Sequence, residues 1–279
     1  MHPLLIALIA STGSMLLLAF CLHQLKRLGS PGLAIREWLS AGFPLDVVVF
    51  LYTTAPLIGA LVAPLIFDLR SPITWLLPIV AIAGQLIALY LWAWTHELAN
   101  LSALRAAKGA RLVSSQNRNL GGPITGRIRN HFSLLWTLLA VPVFNIVRLA
   151  EWIVYPVLVV VTKLPPYDSR QWVNVSRHKF EGLVGHDLIW CLYCDWMTGV
   201  WSLGTEMLRN IESFWCPIRF SNSSKCANCT LDFPDIDKGW VKENANVTDA
   251  ARVIDTQYPA PDGTNAWLNH PVRLTVKGK

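Results

Sequence analysis

A chain of 279 residues that is 53% hydrophobic and only 15% charged is too apolar for an ordinary soluble protein. Its net charge of +6 is unevenly placed: residues 1–161 carry 11 Lys and Arg against 5 Asp and Glu, and the remainder carries 13 of each. The positive excess therefore belongs to the apolar part. There it reports topology and anionic lipid, and it gives no ground for a nucleic-acid partner.

Residues 3–20 form an apolar run of transmembrane length. No Lys or Arg precedes it and no small-x-small cleavage site follows, so an uncleaved first helix is expected rather than a signal peptide. After Lys26, Arg27 and Arg36 comes a second run, 45–67, containing Pro56 and Pro64. A third, 73–94, ends in the aromatic belt of Tyr90, Trp92 and Trp94. The loop 97–131 carries Arg105, Lys108, Arg111, Arg118, Arg127 and Arg129 with no acidic residue after Glu97. Positive charge then puts this loop and the one holding Lys26–Arg36 inside, and the N-terminus outside.

The fourth apolar stretch, 132–161, would reach about 45 Å as one helix, against a hydrocarbon core of about 30 Å. Ser133, Thr137, Asn145, Arg148, Glu151 and Tyr155 fall on one stripe of it. A central charge costs roughly 2.5–3.5 kcal/mol on insertion scales, so an amphipathic or re-entrant element is expected here rather than a crossing. The pair Arg148 and Glu151, three residues apart, is expected to form an ion pair. If this stretch does not cross, everything beyond residue 162 is cytoplasmic, where thiols stay reduced.

The expected fold class is mainly α: a polytopic helical membrane protein with three transmembrane helices and a fourth amphipathic or re-entrant one. Residues 1–161 form the membrane domain. Residues 162–279 form a small Cys-rich extramembrane domain of helix and irregular structure, with a polar C-terminal tail.

The chemistry-bearing stretch runs from His186 to Cys229. Residues 185–215 have the helical period, with Ile189, Leu192, Trp196, Val200, Leu203, Met207 and Ile211 on one face. Cys191 and Cys194 fall on the other. Cys216 stands alone before Pro217, and Cys226 and Cys229 form a second C-x-x-C. Two such pairs point to a tetrahedral thiolate site holding zinc, or alternatively iron. Cys216 and His186 are alternate ligands. The spacing resembles zinc-ribbon and rubredoxin-like patterns, but Asp195 and Thr230 stand where the knuckle glycine belongs. Buried core cysteines and disulfides are the competing readings, and five N-x-S/T triplets favour export.

His96 with Glu97, near His23 and His131, is a further candidate for a metal or haem site. Phosphate-binding, nucleotide-binding, hydrolase and zincin motifs are absent from the sequence. No catalytic residue and no small-molecule substrate is assigned. The expected function is that of a non-catalytic accessory or assembly subunit of a membrane complex, its partners being lipid and other membrane proteins, with zinc stapling a docking domain. A membrane redox protein using iron at the same cysteines is the first alternative. An exported, disulfide-stapled domain on a membrane anchor is the second.

Overall fold

The computed structural model describes residues 2–67, 71–107, 121–162, 164, 166–215, 241–242 and 244–257. Among these residues the chain is mainly helical and holds no strand. In chain order the helices are α1 (Pro3–Gln24), α2 (Gly29–Leu39), α3 (Phe43–Thr53), α4 (Ala55–Ile66), α5 (Leu77–Ala99), α6 (Leu101–Ala106), α7 (Pro123–Leu138), α8 (Val141–Thr162), α9 (Ser169–Trp172), α10 (Gly185–Trp215) and α11 (Val247–Gln257).

Three helical stretches are long and apolar enough to cross a membrane: Pro3–Leu39, Pro72–Ala99 and Ile124–Thr162. The pair α3 and α4 passes the same test only when taken together, across a bend of 53°. The apolar run at 45–67 is thus broken at Thr54. The cause is local. Pro56 has no N–H to give the carbonyl of Tyr52, four residues back, so the helical ladder cannot close there. The stretch expected to avoid crossing, by contrast, is long and apolar enough to cross.

Contacts divide the chain into two compact units, Met1–Ile146 with Val173–Gly199 and Val147–Trp172 with Val200–Lys279. In the first, α1 and α5 pack side by side and run parallel. Leu4 and Ala7 meet the cluster of Leu77 and Ala81. Further along, Ser11 Oγ donates to the Ala81 carbonyl at 2.8 Å and Thr12 Oγ1 to that of Gly84 at 3.1 Å. Small residues permit the approach: a Cβ on Gly84 would stand 2.9 Å from the Leu8 carbonyl oxygen.

The bent pair runs the other way along these two helices. Gln85 lies beside Tyr52 and Thr53, and Ala60 packs against Leu77 and Ala81 near the start of α5. Gln85 Nε2 donates to the carbonyls of Tyr52 and Thr53 at 2.8 and 2.9 Å, supplying at the bend what Pro56 withholds. Asn145 Nδ2 adds a bond to Thr54 Oγ1 at 3.0 Å. A break at this depth is tolerated because neighbouring side chains satisfy the freed backbone.

In the second unit the expected ion pair of Arg148 with Glu151 forms, with both side chains buried. The Arg148 guanidinium also lies 4.8 Å from the Trp152 ring centroid. Gly204 of α10 leaves the space that Glu151 occupies, since a Cβ there would come 2.9 Å from its Oε1. Arg209 Nη1 meets Glu206 Oε1 at 2.6 Å, and the fully buried Asn210 donates to Tyr167 Oη. The polar stripe on α8 is therefore bonded within the protein, which removes much of the insertion cost that argued against a crossing.

Candidate functional site

The helix expected over 185–215 forms as α10. It starts at Gly185, whose φ of +59° suits glycine and whose N–H donates to His96 Nδ1 at 3.2 Å. A side chain there would collide with Glu97 at 2.4 Å, so the start of α10 is seated against the end of α5. Two residues past Cys194, Trp196 is fully buried and its Nε1 donates to the buried Asp46 Oδ1 at 3.0 Å. This bond fixes the apolar face of α10 on the start of α3.

Upstream, an antiparallel bridge pairs Ala41 with Asn174. Gly42 N–H donates to the Val173 carbonyl at 2.8 Å, and Val175 N–H to that of Ser40 at 2.9 Å. The segment leading into α10 is thereby tied to the turn between α2 and α3.

Cys191 and Cys194 lie on the outward side of α10 as free thiols, Cys191 half-buried and Cys194 exposed. Arg177 reaches them from the preceding turn. It pairs through Nε with Asp195 Oδ1 at 2.9 Å, and its positive charge acts on both thiols. Burial pushes the Cys191 thiol above its ordinary range, and the neighbouring Arg177 guanidinium pulls the other way without cancelling it. At neutral pH such a thiol keeps its proton unless a cation displaces it, as a bound metal does.

The remaining expected ligands, Cys216, Cys226 and Cys229, lie outside the described residues. His186 stands elsewhere, its ring 4.8 Å from Tyr90 and 6.4 Å from His131. Among the described residues no group of three or more His, Cys, Asp or Glu is arranged to hold a metal ion. That includes His96 and Glu97 with His23 and His131; the His96 ring instead stacks on Trp92 at 4.6 Å.

A second feature was not foreseen from the sequence. A cavity of about 330 Å³ opens between α1, α2, α3, α5, the 175–178 segment and the start of α10. Its body is apolar, and His23, Lys26, Arg36, His96 and His178 line it as well. Burial holds the His178 imidazole below its usual range, reinforced by the charges of Arg36 and Lys179. The parallel packing of α1 on α5, with the bridge of Ala41 to Asn174, brings these residues together, and no local sequence pattern reports either contact.

Comparisons with protein-family models, with curated proteins and with solved structures find no match to this chain.

Proposed function

We propose that the protein is a non-catalytic integral-membrane accessory or assembly subunit, with its Cys-rich part serving as a metal-stapled docking surface. One observation carries this reading. The first part of α10 is fixed on the start of α3 along one face by Trp196 and turns two free thiols outward on the other. Thiols kept for packing would face inward, whereas ligands must be reachable.

In this reading Cys191 and Cys194 supply two thiolates and the second pair, Cys226 and Cys229, supplies the others around zinc. The first three apolar stretches cross the membrane, with the Lys26, Arg36 and Arg105 end on the cytoplasmic side, and the fourth is re-entrant, which keeps the thiols on that reducing side. Large exposed apolar side chains such as Leu65, Trp75 and Ile66 meet lipid or partner helices.

Native mass spectrometry of the chain released from its own membranes in mild detergent tests the proposal. Wild type should retain another integral membrane chain at fixed stoichiometry, and Cys194→Ser should release it. A wild-type chain that emerges alone contradicts the assembly role.

A further inference from the structure

The cavity between α1, α3, α5 and α10 divides into two chemistries. Leu16, Val49, Leu89, Leu188 and Leu192 supply aliphatic walls, and Tyr52 and Tyr193 present their rings. The basic residues come from the ends of elements. His23 and Lys26 close α1 and the turn after it, Arg36 lies in the last turn of α2, and His96 in that of α5. Because α1 and α5 run parallel, His23, Lys26 and His96 share one end, and His178 and Arg36 join them there.

Cations at helix C-termini on the positive side of a membrane need no ligand to explain them. Lining an apolar cavity is a different matter. Neither Lys26 nor Arg36 forms an ion pair with any carboxylate of the described residues, and the nearby Glu37 pairs with Lys179 at 3.4 Å instead. Glu97 lies near His96 and Glu37 near His178, but neither carboxylate pairs with Lys26 or Arg36. An apolar trough with two cations outside any ion pair at one end matches a molecule with a hydrocarbon chain and an anionic head. At about 330 Å³ it is near the lower end of ligand-pocket volumes. That suits one acyl chain and leaves a second chain in the bilayer.

We propose that this cavity binds one anionic phospholipid of the surrounding membrane, an acyl chain in the apolar body and the headgroup phosphate at Lys26 and Arg36. The source is the membrane rather than a soluble anion, because a small hydrophilic ion would leave the apolar walls unfilled. The site is independent of the cysteines and stands or falls apart from the assembly role.

The test uses the full chain, delipidated in mild detergent and offered phosphatidylglycerol or phosphatidylcholine of matched acyl chains, with retained lipid counted by native mass spectrometry. Wild type should keep one phosphatidylglycerol and discriminate against phosphatidylcholine. The double variant Lys26→Gln with Arg36→Gln should lose that preference about tenfold or more. Ala19→Trp, which fills the apolar body, should lose both lipids, and unfolding curves establish that each variant is folded. Arg105→Gln with Arg127→Gln removes the same charge away from the cavity and should change nothing. Equal loss in that control would reduce the effect to general surface charge and overturn the proposal. So would equal retention of phosphatidylcholine by wild type, or displacement of the lipid by inorganic phosphate alone.

Discussion

Gln85 shows how one side chain sustains a break in an apolar helix. Pro56 strips the Tyr52 carbonyl of its helical donor, and in hydrocarbon no water replaces it. The Gln85 amide answers both that carbonyl and the next one. Replacing it by Leu keeps the volume and removes the donor. Gln85→Leu should lower stability by about 1–3 kcal/mol for the buried acceptors left unmet, read as a fall in the unfolding midpoint in detergent. The conservative Gln85→Met should fall equally, which separates hydrogen bonding from packing. A midpoint unchanged in both variants would mean that the bend needs no donor. In the sequence Gln85 reads only as a lone polar residue in a long apolar run. Its role becomes visible once the Pro56 break lies beside it.

Among elements, the contact of α1 with α5 organises the first unit. Ser11, Thr12 and Gly84 keep the two helices close, and the space at Gly84 is already smaller than a methyl group requires. Gly84→Leu should therefore push α1 off α5, cost about 1–3 kcal/mol as an overpacked contact, and open the cavity that both helices line. Cysteine cross-linking between Ser11→Cys and Ala81→Cys reports the separation: efficient in the parent background and lost with Gly84→Leu. Retained cross-linking would show that the helices accommodate the larger side chain.

The elements themselves were largely legible in the sequence. Periodicity gave α10 over its full length, and the apolar runs gave helices where helices stand. Less legible was what polar groups inside those runs do. Arg148 and Glu151 signal an expensive crossing when priced singly, yet each is buried against the other. Partners distant in sequence settle such costs, as Asn145 with Thr54 and Trp196 with Asp46 also illustrate. Of the expected metal ligands, Cys191 and Cys194 take the outward positions that helical spacing assigns them. His186 meets the Tyr90 and His131 rings edge-on, a contact that no spacing rule foretells.

For the whole molecule, two parallel helices in one membrane require a return pass between them. α2, at 11 residues, is too short to provide it, since it reaches only about 17 Å. The α3–α4 pair runs opposite to both neighbours and reaches about 36 Å before its bend is counted, enough for a core of about 30 Å. The proposed topology therefore places residues 25–40 and 100–107 on one side and residue 71 on the other. With native cysteines replaced, an impermeant thiol reagent should label Arg27→Cys and Arg105→Cys from the same face of sealed vesicles, and Ser71→Cys only from the opposite face. Labelling of all three from one face would make the bent pair a re-entrant loop rather than a crossing.

Elemental analysis of the purified full-length chain bears most directly on the metal-stapled docking domain. Wild type should carry about one zinc per chain, the content of a single tetrahedral thiolate site. The metal should be lost in both Cys194→Ser and Cys226→Ser, and with it the protection of the C-terminal part from protease. Iron in place of zinc would contradict the structural role and favour electron transfer at the same thiolates. A metal-free chain whose cysteines resist alkylation until reduced would contradict the thiolate site altogether and place these residues in disulfides.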